Sequence, residues 1–420
     1  MKRKTIYQIG TVELSLLLLG VTGCSQTASE QTTEKYQPEM AGFSYEELEN
    51  RKEETQDTLR VWYSKQEQEP LMNAAAIEFE ERYGIKVEAC LHDEIDYLEQ
   101  INKATMQESG PDVILTSNDM VAEGVMAGLF EENTNYDDAF WKEHYGEVTK
   151  HALTYQGKCY GYPLYFDTYC MVYREAVTTE PQTIQDILEF AVAYEDADNN
   201  TTIFNWDGSD PYINSLFVNA STNLFGVDGE KVEEFRVSNE QTLQSLAYFQ
   251  SLHEYLSMDI ENANYRNVKE EMKQETLVYG IIRSDMVKQL EEEIKAYKLS
   301  PLPALTKELP TKASSTTYAG FVSPYSKQTE NSQLFGAFLS YEFADRYFEQ
   351  NGLLSVRADR ERKQSEEVFY QQYQKSIPIP KLLQAGDYWT HIQIMFQKIW
   401  KGDDVNEAVA RLEDTMQQKR

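Results

Sequence analysis

The chain has 420 residues, of which 41% are hydrophobic and 12% aromatic, and this composition indicates a folded protein of two domains rather than a disordered chain. Its 70 acidic and 39 basic side chains give a formal net charge of −31, which argues against a nucleic-acid surface and against a surface held flat on anionic lipid. Tyrosine is abundant, with 28 residues. Because its ring joins an apolar face to a polar hydroxyl, this abundance suits a polar ligand or a wet interface.

Residues 1–23 have the pattern of an export signal, in which a basic start precedes an apolar run too short to span a membrane in the mature protein. Residues 21–24, Val-Thr-Gly-Cys, resemble a bacterial lipoprotein processing box. The resemblance implies cleavage before Cys24 and acylation of its thiol, which anchors the protein to the outer face of the cytoplasmic membrane. A plain secretory signal with a chance cysteine is the alternative. Residues 24–57, rich in Ser, Thr, Gln and Glu, are expected to form a flexible tether.

The next segments alternate between strand and helix patterns. Residues 58–63 predict a first strand, residues 71–83 carry apolar side chains at helical spacing up to Gly84, and residues 85–89 predict a second strand. A strand, a helix and a strand in this order predict a right-handed parallel unit. A further helix is predicted at 97–106.

A buried strand followed by polar residues comes next. Gly110-Pro111 opens the run 112–115, Asp-Val-Ile-Leu, whose apolar part has no polar alternation and therefore predicts a strand buried on both faces. Polar residues follow at 116–119. Because open α/β sheets bind ligands at the carboxyl ends of their parallel strands, Asn118 and Asp119 are candidate binding residues at the rim of a pocket.

Residues 154–174 predict a hairpin turn at Gln156-Gly157 and then an extended segment that starts at Gly161 and includes Asp167. For Asp167, a turn-capping carboxylate is the alternative to a ligand contact. After Cys24, cysteines remain at positions 90, 159 and 170. An odd number cannot all pair internally, so free buried thiols or one bridge between positions 159 and 170 are both open.

The second half of the chain continues the alternation. Predicted helices cover 184–194, 241–256, 334–347, 386–399 and 405–416, and predicted strands or extended segments cover 297–303, 318–323 and 353–357. Asp210 and Pro211 predict the start of another helix, as N-cap and first-turn residue. Gly386 breaks the preceding chain where the next-to-last helix starts. Asp387 is the predicted N-cap of that helix, which places Trp389 in its first turn.

Several stretches together resemble the bacterial extracellular solute-binding proteins of the maltose-binding type. They are the strand that contains Trp62, the run E-x-x-Y-G-I-K-V at 80–87, GPDVI at 110–114, G-K-x-Y-G-Y-P at 157–163 and the tryptophan helix near the carboxyl end. The resemblance implies a two-lobed α/β fold of the type II periplasmic-binding-protein class, with open mixed sheets flanked by helices and a ligand cleft between the lobes. It implies a first lobe from residues 58–165 and 322–356 and a second lobe from 166–321 and 357–420.

The resemblance also carries binding roles to matching positions. The expected ligand contacts are Trp62, Tyr63, Ser64, Asn118, Asp119, Tyr162, Asp167, Trp206, Asp210, Tyr212, Arg283, Tyr318 and Trp389. Family members usually have tryptophan at the position of Arg283, so the contact at that point is in doubt. For Trp389, the alternative to stacking on a sugar ring is a core residue that caps its helix against its own lobe.

The function implied is capture of a sugar or oligosaccharide and its delivery to an ABC permease with a separate ATPase, by a monomer that needs no cofactor. The chain contains no Walker motif. Its five histidines lack metal-ligand spacing, so no metal site is expected. Two alternatives remain open: a secreted carbohydrate-active enzyme that uses paired carboxylates, and a lipoprotein that binds a cell-wall polymer or a partner protein without transport.

Overall fold

The computed structural model describes residues 43–54, 57–194, 200–222, 224–256, 258–383 and 385–418. The predicted export signal, Cys24 and the first part of the predicted tether lie outside the described residues, as does most of the predicted polar loop at 195–201. No helix in the described ranges is long and apolar enough to cross a membrane.

The described residues contain thirteen strands and seventeen α-helices. The strands are β1 Leu59–Tyr63, β2 Val87–Leu91, β3 Val113–Ser117, β4 Thr154–Tyr155, β5 Lys158–Cys159, β6 Tyr162–Asp167, β7 Tyr169–Arg174, β8 Thr202–Asn205, β9 Leu277–Arg283, β10 Tyr297–Ser300, β11 Ser314–Val322, β12 Leu354–Ser355 and β13 Ile377–Pro378. The helices are α1 Tyr45–Arg51, α2 Glu69–Tyr83, α3 Tyr97–Met106, α4 Val121–Met126, α5 Asp138–His144, α6 Glu147–Leu153, α7 Ile184–Ala193, α8 Pro211–Asn214, α9 Leu216–Asn219, α10 Glu240–Ser251, α11 Tyr265–Lys273, α12 Val287–Glu292, α13 Thr329–Ala337, α14 Tyr347–Asn351, α15 Gln364–Gln374, α16 Ala385–Trp400 and α17 Val405–Gln418.

The larger sheet is mixed, with strand order β12-β6-β11-β3-β1-β2 and with β13 paired to β11. β1 pairs in parallel with β2 and β3, as the alternation of strands and helices predicted. β11 runs antiparallel to β3 and β6. The carboxyl end of β3, at Ser117, therefore lies beside Tyr318 in the middle of β11.

The smaller sheet has strand order β10-β7-β9-β8, in which β8 alone runs parallel to its neighbour. Side chains of β7 alternate between two hydrophobic clusters. Cys170 and Val172 pack into the cluster that includes residues of the larger sheet. Tyr169 and Met171 pack into the cluster that includes residues of α16 and α17. This alternation follows from the two-residue period of a strand that is buried on both faces.

The chain passes from the larger to the smaller sheet within a single residue. β6 ends at Asp167 and β7 begins at Tyr169, so Thr168 is the whole connection. Thr168 is fully buried, and its Oγ1 donates a hydrogen bond of 2.8 Å to the carbonyl of Ser314 at the start of β11. The predicted extended crossing at 161–167 is confirmed, and it is tied to the next crossing strand.

Three predicted elements differ from the structure. The predicted tether includes helix α1, because its Ser44 N-cap accepts from the backbone N–H of Glu47 and Leu48 is fully buried. The helix predicted at 334–347 is divided, because a π-helical turn at Phe338–Glu342 separates α13 from the segment before α14. Helix α16 begins at Ala385, so Asp387 lies inside the first turn, and Trp389 falls one residue beyond it. An acidic side chain is also favourable there, which is why the sequence did not distinguish a cap from a first-turn residue.

Candidate functional site

The carboxyl end of β1 contributes three of the expected contacts in different environments. The Trp62 ring is part-buried and stacks on the imidazole of His92, with ring centroids 3.6 Å apart and planes 22° apart. Tyr63 is buried in the core below the strand end. Ser64 is part-buried in the loop that leads to α2. Trp62 and Ser64 are therefore partly accessible at the end of the strand, whereas Tyr63 is not.

The carboxyl end of β3 contributes Asn118 and Asp119, which have different hydrogen-bond partners. Asn118 is fully buried, donates from Nδ2 to the carbonyl of Ile379 at 2.8 Å and accepts from the backbone N–H of Thr317 at 2.9 Å. Its amide therefore joins chain segments distant in sequence. Asp119 accepts from the Ser117 hydroxyl at 2.5 Å. Burial raises the pKa of its carboxyl group above the ordinary value of 3.8.

A cavity of about 450 Å³ opens between the two sheets beside the crossing strands. Its lining includes two nearly parallel phenol rings, Tyr165 of β6 and Tyr318 of β11, whose centroids are 4.4 Å apart with an angle of 11° between the planes. The cavity is lined by Glu67, Tyr165, Phe166, Asp167, Tyr265, Arg283, Ser284, Asp285, Tyr318, Asn351, Gly352, Leu353 and Leu354. Its volume is typical of small-ligand pockets, and aromatic rings with a few convergent polar groups are the usual lining of such sites.

Several charged side chains influence the pKa of the Tyr318 hydroxyl. Burial is the main cause that raises its pKa, and the carboxylates of Asp167 and Asp119 raise it further, while Arg283 opposes them. Residues from the ends of β3, β6 and β9 therefore act on one phenol.

Arg283 and Asp167 form the central ion pair of this cavity. The Nε of Arg283 donates to Oδ2 of Asp167 at 3.1 Å, and its Nη2 donates to the same oxygen. The Ser284 hydroxyl donates to Oδ1 of Asp167. Proximity to Asp167 is the largest cause that raises the pKa of the Arg283 guanidinium, which is therefore held as a cation.

This cluster extends toward the smaller sheet through Asp210, Tyr212 and Trp389. Asp210 is the N-cap of α8 as predicted, with Oδ1 accepting from the backbone N–H of Tyr212 at 2.9 Å. Its other oxygen lies 3.7 Å from Nη1 of Arg283. The Arg283 guanidinium lies over the Tyr212 ring at 5.1 Å, and the Trp389 ring is 6.3 Å from the same ring. Burial raises the pKa of Asp210, and Arg283 opposes the shift.

Two further expected contacts lie in the hydrophobic core, in addition to Tyr63. Trp206 is 1% exposed, and its indole N–H donates to Oδ1 of Asn214 at 2.9 Å. Tyr162 is also buried, and its hydroxyl accepts from Nδ2 of Asn135 at 2.6 Å. The structure therefore brings Asp167, Arg283, Tyr318, Asp210, Tyr212 and Trp389 together but keeps these two rings inside the protein. Binding roles were transferred from the family by position, and position alone does not distinguish a ring that faces the cleft from one that supports it.

Several cavity residues were missed by the sequence analysis. Tyr165 accepts from Nε2 of Gln68 at 2.8 Å, and Tyr265 accepts from the backbone N–H of Arg283 at 2.7 Å and donates to Asp285 at 2.9 Å. Tyr165 lies two residues before Asp167 on β6, so period-two alternation places both on one face and could have identified it. Tyr265 is far from Arg283 in sequence, and no local pattern predicted that contact.

Other reactive groups do not form a separate centre. The cysteines at positions 90, 159 and 170 are free thiols, so the possible bridge between the last two is not formed. No cluster of three or more potential metal-ligating His, Cys, Asp or Glu side chains is found in the part of the chain that the structure describes.

Sequence comparison places this fold among known proteins. A family profile described as bacterial extracellular solute-binding protein matches residues 74–352. The maltotriose-binding protein of Pyrococcus abyssi is 23% identical over 228 residues, which cover 53% of this chain and 48% of that protein, so the match spans about half of the relative's length. The maltodextrin-binding protein MdxE of Bacillus subtilis is 21% identical over 373 residues, which cover 81% of this chain and 86% of that protein.

Solved structures agree on the fold. An extracellular solute-binding protein from Staphylococcus aureus, in complex with maltose, superposes with a TM-score of 0.77 at 17% identity, covering 87% of this chain and 98% of that chain. A cyclo/maltodextrin-binding protein complexed with maltotetraose gives a TM-score of 0.76 at 20% identity, with coverage of 87% and 98%. The expected two-lobed α/β fold with mixed sheets is thereby confirmed.

Proposed function

Because the chain belongs to the bacterial extracellular solute-binding proteins, we propose that it captures a neutral maltooligosaccharide outside the cytoplasmic membrane and delivers it to an ABC permease. The observation that carries this proposal is the cavity itself. Stacked phenol rings lie beside carboxylates and a guanidinium, and residues of both sheets contribute to it. Flat aromatic faces cover the apolar faces of sugar rings, and the charged groups exchange hydrogen bonds with hydroxyls.

The connection between the sheets supports capture by hinged closure. The cavity lies against the crossing strands β6 and β11, and Thr168 is the whole link between β6 and β7. A small change of backbone angles at such a link can move one sheet relative to the other. A sugar that contacts both sides favours the closed arrangement by its difference in affinity for the two states.

Lipid anchoring completes the proposal. It rests on the processing box that ends at Cys24 and on the polar residues that follow it. Two or more acyl chains on one cysteine hold a protein stably on a bilayer. Replacement of Cys24 by Ala is expected to release the protein or leave an unprocessed precursor, measured by metabolic labelling with a fatty acid. Unchanged labelling of the variant would rule out this anchor.

The sugar itself is tested with purified protein that begins after residue 24. Isothermal titration with maltose, maltotriose and maltotetraose is expected to show saturable binding, with cellotriose as the matched sugar of different linkage. Small-angle scattering at saturating maltotriose should show a smaller radius of gyration. Absence of binding to all three maltooligosaccharides would refute the proposed ligand. Release of new reducing ends during the titration would instead support the enzyme alternative.

A further inference from the structure

The carboxylate of Asp167 is already committed within the protein. Its Oδ2 accepts two hydrogen bonds from Arg283, and its Oδ1 accepts one from the Ser284 hydroxyl. A carboxylate offers about four acceptor positions, so about one is left for a ligand. The Asp167 side chain is also only 13% exposed.

The guanidinium of Arg283 presents more of itself to the cavity. Its side chain is 36% exposed, nearly three times the fraction for Asp167. Asp167 holds one edge of the group, and the Tyr212 ring supports one face. The Tyr212 hydroxyl is itself fixed, because it donates to the carbonyl of Asp167 at 3.0 Å. Since a guanidinium has five N–H donors and two of them are bound by Asp167, donors remain for a ligand.

We propose that Arg283 is the specificity-determining donor of this cavity and that Asp167 is a positioning residue that acts through it. The inference rests on the proposed function, because it assumes that a sugar enters this cavity. The guanidinium is bound at one edge and covered on one face, so its free donors have fixed directions. A ligand with a hydroxyl oxygen at those positions is favoured without the ordering cost of a mobile side chain.

The charge of the cluster limits the class of ligand. Arg283 carries one positive charge, and Asp167 and Asp210 lie on either side of it with one negative charge each. The three groups together are therefore net negative when both carboxylates are ionised. An anionic sugar gains little from a cation that is already balanced. The arrangement accordingly selects neutral hydroxyl-rich ligands over uronates and sugar phosphates.

A double-mutant cycle with maltotriose tests this assignment by titration calorimetry at fixed pH and salt. R283M is expected to weaken binding roughly 10- to 100-fold, as loss of a charged hydrogen bond does. D167N should weaken it less, and D167N/R283M should be no weaker than R283M alone. R283K is expected to restore only part of the loss, because an ammonium lacks the planar fork. R411M is the control, since Arg411 pairs with Glu407 on α17, outside the cavity lining.

The outcomes separate the possibilities. Losses that multiply in the double variant would show that Asp167 contacts the sugar by itself and would overturn its positioning role. Full affinity in R283M would overturn the role of Arg283. Melting curves of the free variants check that each one folds. Should D167N not fold, D167E with and without R283M gives the same cycle with the charge kept. Wild-type protein that binds no maltooligosaccharide would remove both the proposed function and this inference.

Discussion

Trp389 offers a direct separation of ligand contact from structural support. Its ring is part-buried, with its centroid 6.3 Å from that of the Tyr212 ring and 4.9 Å from that of the Tyr388 ring. The Arg283 guanidinium lies over the same Tyr212 ring. Trp206 lies in the same hydrophobic cluster but is 1% exposed and hydrogen-bonded through its indole N–H. The two tryptophans therefore form a matched pair, one at the surface of the cluster and one inside it.

Truncation of Trp389 is expected to reduce mainly the affinity for sugar, and truncation of Trp206 mainly the stability of the fold. If a sugar ring covers about 80 Å² of the Trp389 indole, transfer of that area contributes about 2 kcal/mol at about 25 cal/mol per Å². Trp389→Ala should therefore raise Kd by about 30-fold. Trp206→Ala removes a side chain with almost no exposed surface, and large-to-small substitutions of that kind cost about 3–5 kcal/mol of stability. Because Trp389 is part-buried, its truncation also costs stability, but less than that of Trp206.

The assay is titration calorimetry with maltotriose beside thermal melting of the free proteins. Trp389→Ala should lose affinity while keeping most of the melting temperature. Trp206→Ala should lose melting temperature, with affinity near wild type in the fraction that folds. A Trp389→Ala protein that binds normally and melts as early as the Trp206 variant would show that both indoles are core residues.

Three further substitutions test polar side chains outside the cavity lining. Burial raises the pKa of the Asp119 carboxyl group above 3.8, so its negative charge destabilises the folded protein at neutral pH, and this penalty disappears as the pH falls through the raised pKa. Asp119→Asn should therefore raise the melting temperature at pH 7, by an amount that shrinks toward pH 4. The same substitution should weaken sugar binding. Burial lowers the pKa of Lys381 from 10.5 to about 8, so the unfolded chain binds more protons between these values. Wild type should therefore gain stability relative to Lys381→Met from pH 8 to 10, whereas a constant difference in calorimetric melting would contradict the burial of a titrating amine. Asn118→Ala leaves the Ile379 carbonyl and the Thr317 N–H without their partner, at about 1–3 kcal/mol each, and equal denaturation midpoints would show that this bridge contributes nothing.

Local patterns predicted the elements well where a period was strong. Helix α3 has its predicted bounds, Tyr97–Met106, because its apolar residues follow a helical period and a buried strand follows it closely. The helix predicted at 334–347 failed because its residues are apolar on most sides, and such a run does not show where a π-helical turn interrupts it. Tyr45 and Leu48 suggested only a helical turn within the predicted tether, because the apolar side chains that pack around helix α1, Phe43, Tyr45 and Leu48, stand in a polar stretch.

Several residues of the candidate site could be predicted from the sequence one by one, but their contacts with one another could not. The family resemblance identified Asp167, Asp210 and Arg283 as separate candidates, and the residue pattern alone predicted Asp210 only as an N-cap. It did not show that Arg283 lies between the two carboxylates, since that contact depends on how β6, β9 and α8 pack. The distances between the Arg283 guanidinium and the two carboxylates are set by tertiary structure, so the spacing of these residues in the sequence does not predict them.

Tyr212 supports both the cavity and the connection between the sheets. Its ring carries the Arg283 guanidinium on one side and approaches Trp389 on another. Its hydroxyl donates to the carbonyls of Asp167 at 3.0 Å and of Ser314 at 3.3 Å, where two crossing strands meet. The group that supports the charged face of the cavity therefore also ties together the strands that connect the sheets. A ligand bound against Arg283 acts on this junction through one ring, so the shape of the cavity and the arrangement of the sheets are physically linked.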